Sequence, residues 1–294
     1  MISRRHLMLA AGGAAFCLPG LVPAGAAPAF GGPALAAAIV AAEKQSQGRL
    51  GVAVRDTGTG ATFAHRGDER FPMCSTFKFL LAAMVLAEVD AGRERLDRTL
   101  PITKADLVAY SPMTEPLVGS VASVAALCEA AVTLSDNTAA NVLLAAVGGP
   151  AGLTAFLRRS GDPVTRLDRN EPTLNEGTPG DPRDTTTPLA MVGDLDRLVL
   201  GRVLTPPSRD QLAAWLVANR TGDTRLRAGL PKGWRVGDKT GTGPRGSIND
   251  IAVIWPPGRA PLLVTSYLTQ SPLDAAAGNA IHALVGQAVA AAAG

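Results

Sequence analysis

The chain has 294 residues, 47% of them hydrophobic and 18% charged, which suffices for one or two domains with a real core. Its net charge of +3 is too small to favour a nucleic-acid partner, and two of the positive charges, Arg4 and Arg5, stand within the first 26 residues. The aromatic residues form no stacking series, and His6, His65 and His282 are far apart with no metal-ligand spacing, so no zinc centre is expected.

The N-terminus predicts an export signal. Arg4 and Arg5 open it, residues 7–22 are apolar over the length of a signal peptide, and Ala24-Gly25-Ala26 supplies small residues for cleavage after Ala26. The paired arginines resemble a twin-arginine signal, which exports folded protein. The expected destination is the periplasm or the medium, with no stable membrane association once residues 1–26 are removed. Of the three cysteines, only Cys74 and Cys128 then remain. One disulfide between them is possible, but two buried free thiols are favoured, because Cys74 borders a reactive stretch and Cys128 lies near the end of a predicted helix.

Residues 33–48 are rich in helix formers and predict a helix. Leu50, Val52 and Val54 alternate as in a half-buried strand. A Thr-Gly-Thr-Gly turn at 57–60 and a second strand at 61–66 complete a hairpin. A long helical region, 71–219, follows. Within it, the run 79–87 is apolar on every side, which marks a buried helix. Further helices are expected at 124–133, at 138–147 ending in Gly148-Gly149-Pro150, and at 188–200 with Thr187 as N-cap. Ser208-Arg209-Asp210-Gln211 reads as a capping box opening the helix that carries Trp215. Strands return at 234–240, 250–255 and 262–268, and an Ala-rich helix runs from 272 to the end. Strands at both ends with helices between them imply one α+β sheet built from both termini. Residues 27–66 and 219–294 are expected to form an α/β domain and 67–218 a helical one, with a site in the cleft between them.

The chemistry centres on Ser75 and Lys78. Three residues apart on a helix, they share a face. An amine in a dry site can serve as base for a serine, and a helix N-terminus offers N–H groups to an oxyanion. Taken alone, Ser75 could be only an N-cap. The same is true of Ser135-Asp136-Asn137, and Lys239-Thr240-Gly241 could be only a strand end. Together, in this order and on a helix, a loop and a strand, the three resemble the motif set of class A β-lactamases and penicillin-binding proteins. A fourth piece, Glu171-Pro172-Thr173-Leu174-Asn175, resembles the loop with which class A β-lactamases deacylate. Its Pro- and Gly-rich continuation to Asp184 excludes a regular element, and a loop that long is usually functional. The chain is thus identified as a member of the class A serine β-lactamases over essentially its whole mature length, including Thr221-Gly222-Asp223 and residues 249–253.

That resemblance implies a three-layer αβα sandwich with an antiparallel sheet and an inserted helical lobe. It implies hydrolysis of penicillin- and cephalosporin-type antibiotics through a serine acyl-enzyme, and hence antibiotic resistance. Ser75 would be the nucleophile, and its N–H with that of Thr242 the oxyanion hole. Lys78, or Glu171 acting through a water, would take the serine proton, and the sequence leaves that choice open. Ser135 would relay a proton to the lactam nitrogen, while Glu171 and Asn175 would activate the hydrolytic water. Lys239, Thr240, Gly241 and Thr242 would bind the substrate on its carboxylate side, Asn137 would meet its side-chain amide, and Tyr110 would stand at the mouth of the cleft. Many relatives place an arginine where Ile248 stands here, and Arg225 is expected to supply that charge instead. Some carbapenem-hydrolysing relatives bridge the cysteine before the nucleophile to a second cysteine, where this chain has Gly243. Arg169 and Asp184 are expected to pair across the loop, and Glu171-Pro172 to be cis. No cofactor and no metal are implied, the partners are small β-lactams, and a monomer is expected. A D,D-peptidase shares three of the motifs, but the Glu171–Asn175 pair argues against it, and a non-catalytic β-lactam sensor, which would acylate and stop, is a further alternative.

Overall fold

A computed structural model describes residues 30–294, and the export signal read in residues 1–26 lies outside them. Helix α1 (Gly32–Ser46) has Pro33 in its first turn, where a missing N–H is harmless, and it buries Leu35, Ile39 and Ala42 at helical spacing. Strand β1 (Arg49–Asp56) pairs antiparallel with β2 (Thr62–His65) in the expected hairpin. β1 is not half-buried, as its alternation suggested, but covered on both faces. Leu50, Val52 and Val54 join the core beneath α1, and Ala53 joins the other core. Gly51 hides that second face from a hydropathy reading. Phe71 stands directly over it, so a Cβ at position 51 would lie 2.4 Å from the ring.

β3 (Phe71–Pro72) leads through a single 3-10 turn, Cys74–Thr76, into α2 (Phe77–Asp90), which buries ten consecutive residues from Phe77 to Leu86. A helix apolar all round must be surrounded, and α2 is the pillar of the helical layer. The layer is not wholly helical. A two-stranded ribbon, β4 (Thr99–Ile102) with β5 (Ser120–Ser123), interrupts it. α3 (Val124–Glu129) is capped by Ser123 and continues as a wide π turn to Leu134. α4 (Asn137–Ala146) is capped by Asp136. Gly148-Gly149-Pro150, read from sequence as a terminator, also starts α5 (Gly149–Arg159), because proline fits a helix's first turn. β6 (Thr185–Thr186) pairs with β3. α6 (Pro188–Leu195) is capped by the Thr187 hydroxyl as expected. α7 (Pro206–Val217) begins before the supposed capping box. Ser208 lies inside it, and its hydroxyl donates to Asp90 Oδ1 at 2.6 Å, tying α7 to the end of α2.

After the short α8 (Leu226–Gly229) come β7 (Arg235–Gly243), β8 (Ser247–Trp255), β9 (Leu262–Thr269) and α9 (Ala275–Ala293). The main sheet runs β2-β1-β9-β8-β7 with every neighbour antiparallel. Both ends of the chain therefore build one sheet. α1, α8 and α9 cover one face over a core that includes Val52, Val264, Ile281 and Val285. The other face meets the helical layer through Ile251, Val253, Leu263 and Tyr267. The α+β, three-layer architecture is the one expected. β7 ends the sheet and lies against the Cys74–Thr76 turn, which brings the third motif to the first.

Gly51→Ala is expected to destabilise the fold by about 1–3 kcal/mol, the usual result of overpacking a filled core. The urea midpoint measures it, and an unchanged midpoint would show that Phe71 can move aside.

Candidate active site

Ser75 sits in the 3-10 turn before α2 rather than within the helix, and Lys78 occupies the first turn of α2. Cys74 has a positive φ of 45°, a conformation that non-glycine residues avoid. Its buried thiol is pushed up to about 12 by burial, so it stays protonated beside the serine. Gly241 on β7 lets the edge strand close on this turn, since a Cβ there would lie 2.7 Å from the Met73 carbonyl and 3.2 Å from the Ser75 nitrogen.

Lys78 is fully buried. Its Nζ lies 3.0 Å from Ser75 Oγ, 2.8 Å from the Ser135 carbonyl, 3.4 Å from Ser135 Oγ and 3.1 Å from Glu171 Oε1, and it also donates to Asn137 Oδ1. Five acceptors compete for an ammonium's three N–H groups, so its hydrogens can be redistributed. Burial pulls the amine below the usual lysine range, and the Glu171 carboxylate opposes that pull.

Glu171 arrives on the loop 166–184. The loop is closed at its neck by Arg166 N–H donating to the Thr185 carbonyl, and by Asp184, whose Oδ1 accepts the N–H groups of Asp168 and Arg169. Arg169 Nε meets Asp184 Oδ2 at 2.6 Å, the expected pair, and Glu171-Pro172 is cis, as expected. Ser75 Oγ lies 3.3 Å from Glu171 Oε1, while Glu171 Oε2 accepts from Asn175 Nδ2 at 2.5 Å. Asn175 Oδ1 is buried and accepts nothing, which leaves an acceptor free beside the carboxylate. The sequence reading missed Asn141. Its Oδ1 accepts from Glu171 N–H and its Nδ2 donates to the Glu171 carbonyl, both at 2.9 Å. The available signal was its place four residues after Asn137, on the same face of α4.

Ser135 turns the chain in a left-handed conformation, and its Oγ lies between two amines, 3.4 Å from Lys78 and 3.1 Å from Lys239. Asp136 takes no part in the cleft and instead accepts from Met113 N, Thr114 N, Thr114 Oγ1 and Ala139 N. That anchors the 108–114 loop, from which Tyr110 projects, 62% exposed. Asn137 spans the cleft wall from Lys78 to the Ala109 carbonyl, to which its Nδ2 donates at 2.8 Å. Lys239 is also buried and lies one layer back, donating to Ser135 Oγ and to the Thr240 carbonyl. Burial, with the Lys78 charge nearby, holds its ammonium well below the ordinary range.

Arg225 lies under the β7 edge, 7% exposed. It donates to Thr242 Oγ1 at 2.7 Å, to the carbonyls of Gly241 and Asn249 at 2.9 and 2.6 Å, and to Asn279 Oδ1 at 2.8 Å. Ile248, paired with Thr242 across β7 and β8, is buried. The cleft encloses about 400 Å³. Ser75, Tyr110, Ser135, Asn137, Asn175, Arg225, Thr240, Gly241 and Thr242 line it, whereas Lys78, Glu171 and Lys239 stand behind its wall. Thr221 also lines it, with its hydroxyl 2.5 Å from that of Thr240, a contact absent from the sequence expectations.

Cys74 and Cys128 are both free and buried. A Cβ built on Gly243 would lie 2.8 Å from Cys74 Sγ, within disulfide reach. Gly243→Cys is therefore expected to oxidise onto Cys74, lowering the intact mass by two hydrogens, and a variant that keeps all its thiols in air would contradict this geometry.

Comparison with known proteins shows the family. Residues 34–293 match the model of the β-lactamase enzyme family. The chain is 54% identical to β-lactamase AST-1 of Nocardia asteroides, over 82% of this chain and 78% of that protein. It is 50% identical to β-lactamase L2 of Stenotrophomonas maltophilia over 91% of each. Among solved structures, the ancestral (GNCA) class A β-lactamase superposes with a TM-score of 0.86 at 67% identity, covering 87% of this chain and 98% of that one. The chain belongs to the class A serine β-lactamases, hydrolases of the β-lactam ring that confer antibiotic resistance.

Proposed function

We propose that this enzyme works as an acyl-transfer machine centred on Ser75, with deacylation assigned to Glu171. The observation that carries this reading is the position of Ser75 Oγ, 3.0 Å from Lys78 Nζ and 3.3 Å from Glu171 Oε1. Both groups are within reach of the serine proton, directly or through one water. Ser75 Oγ attacks the lactam carbonyl carbon. The resulting oxyanion is met by the N–H groups of Ser75 and Thr242, brought together where Gly241 packs on the turn. The proton that Ser75 gives up goes to Lys78 or, through a water, to Glu171. As the C–N bond breaks, the Ser135 hydroxyl, flanked by two amines that burial makes reluctant to hold protons, passes its proton to the leaving nitrogen and takes one back from Lys78. A water then attacks the ester carbonyl, held by Glu171 and by the free acceptor Asn175 Oδ1. Glu171 takes its proton, Ser75 leaves with one from Lys78, and Glu171, 3.1 Å from the Lys78 amine, passes its proton back to Lys78.

The substrate carboxylate is assigned to Thr240 and Thr242, whose hydroxyls line the cleft. Arg225 acts through Thr242, which it holds by a charge-assisted hydrogen bond, and adds positive potential at that end. Lys239 orients Ser135 and the Thr240 carbonyl from behind. Asn137 keeps one Nδ2 hydrogen for the substrate side-chain amide, and Tyr110 stands at the mouth. The leader read in residues 1–26 makes the periplasm or the medium the proposed destination.

Glu171→Ala is expected to acylate and then stall, with deacylation slowed by about 10²–10⁴-fold. A chromogenic cephalosporin with intact-mass readout tests this. A parent that itself stays acylated would move the protein to the peptidase or sensor class. Arg225→Ala removes hydrogen bonds to a charged group worth about 1.5–3 kcal/mol. It is expected to raise KM by roughly 10- to 100-fold while leaving the decay of a preformed acyl-enzyme unchanged, and an unaltered KM would detach Arg225 from substrate binding.

A further inference from the structure

Two carboxyl groups lie buried against each other below the Glu171 loop, outside the cleft. Asp162 follows α5 and is 1% exposed, and Asp194 lies on α6 and is fully buried. Their side chains are in hydrogen-bond contact. Two carboxylates cannot make such a contact, because neither has a donor. Asp194 Oδ1 is already taken by Arg197 at 2.6 Å, whereas Asp194 Oδ2 is buried with no other partner. Asp162 acts only as an acceptor, taking the N–H of Val164 at 2.6 Å and that of Thr165 at 3.1 Å on Oδ1, with the Thr165 N–H also 3.3 Å from Oδ2. A proton on Asp194 Oδ2, donated to Asp162, satisfies every one of these atoms.

We propose that Asp194 and Asp162 share one proton and that this O–H···O bond is a positioning clasp for the Glu171 loop. It joins the segment entering the loop to the helix leaving it. On the entering side, Asp162 organises Val164 and Thr165, and the Thr165 hydroxyl lies 2.7 Å from that of Thr186. On the leaving side, Thr187, the N-cap of α6, follows directly after Asp184–Thr186, and the Asp184 carbonyl accepts the N–H of Met73, two residues before Ser75. The clasp therefore bears on both the base and the nucleophile, and it rests on the reading of Glu171 as the deacylating group.

Few other charges face the pair. Among the described residues Arg197 is the one cation on Asp194, while Arg158 from α5 spends its guanidinium on the carbonyls of Asp162 and Thr165. Tyr267 from β9 is buried nearby and un-ionised, pushed far up by burial. Burial and the Asp162 charge push Asp194 well above the usual carboxylate range, against the pull of Arg197. Burial raises Asp162 too, but hydrogen bonds from Asp194, Thr165 and Val164 outweigh it and leave that carboxyl below its ordinary range. The stability that the Asp194 proton contributes is fully present below the ordinary value of 3.8 and is lost as pH rises through the raised one. Asp162 acts on the acid side alone, its contribution lost as pH falls through its lowered value. Once the proton leaves, two carboxylates face each other in a dry site with one arginine, and the loop loosens.

The test compares the full-length mature enzyme with Asp194→Asn, whose Oδ1 can still accept from Arg197 and whose Nδ2 can donate to Asp162 without titrating. Over the range from 3.8 up to the raised value, the parent's folding constant is expected to fall by about tenfold per pH unit relative to the variant. Thermal unfolding across pH reads this. On the alkaline side the parent's acyl-enzyme is expected to outlive the variant's by roughly 10- to 100-fold, the effect of a slightly misplaced base. Parallel unfolding curves would overturn the shared proton. Diverging unfolding curves with identical acyl-enzyme lifetimes would overturn the positioning role. A protonated-carboxyl infrared band present in the parent and lost in Asp194→Asn reads the proton directly, and a spectrum that the substitution leaves unchanged would sink the proposal. If Glu171→Ala turned over normally, the Glu171 reading would fall, while the unfolding and infrared results would still judge the proton.

Discussion

The structure depends on keeping an amine dry. Lys78 has no solvent contact, and an isolated buried ammonium is costly enough that it must be paired or lose its proton. Its acceptors come from three separate places. Ser75 lies on the turn before its own helix, Ser135 and Asn137 bracket the start of α4, and Glu171 rides on a loop between α5 and α6. Burying the lysine thus depends on the Ser75 turn, the Ser135–Asn137 segment and the Glu171 loop together. The surplus of acceptors over N–H groups keeps the proton mobile, which a single tight ion pair would not allow.

Rigidity is supplied from behind. α2 is surrounded on every side and cannot tilt without opening the core, so Ser75 and Lys78 inherit the position of the best-packed helix. Asp136 uses both carboxylate oxygens to pin the 108–114 loop to α4. Asn141 grips the main chain of Glu171 rather than its carboxylate, fixing where Glu171 sits while leaving its oxygens for Ser75 and Asn175. β7, as an edge strand, has one side free to meet the substrate. Its closeness to the Ser75 turn exists only because Gly241 has no side chain.

The electrostatic pattern divides by depth. Thr240, Thr242, Ser135 and Asn175 present neutral donors and acceptors to the cleft, while the charges of Lys78, Lys239, Glu171 and most of Arg225 stand just behind them. Placed there, the charges act through little water and gain strength from the low local dielectric. Charged groups farther from the cleft, the Asp162–Asp194 pair and the Arg169–Asp184 bridge, tie the Glu171 loop at its neck rather than touching substrate.

Much of this was legible in the residues themselves. The all-round apolar run after Lys78 implies a buried helix, the strands near both termini imply a shared sheet, and the motifs at Ser75, Lys78, Ser135, Glu171, Asn175 and Lys239, in that order, resemble those of a family that works by acyl transfer. These are local or ordered features, so periodicity and motif order suffice. What the chain alone could not show depends on which distant atoms meet. Gly51 looks like a weak spot in a strand until Phe71 stands over it, and Ser208 looks like a cap until Asp90 takes its hydroxyl. Burial sets Lys239 behind Ser135, and Asn141, Thr221 and Asp194 find partners far away in the chain. Local sequence determined which elements form and which chemistry they carry. The tertiary structure alone decided depth, partner and protonation, because burial and hydrogen bonding between residues far apart in the chain are properties of contacts, not of spacing.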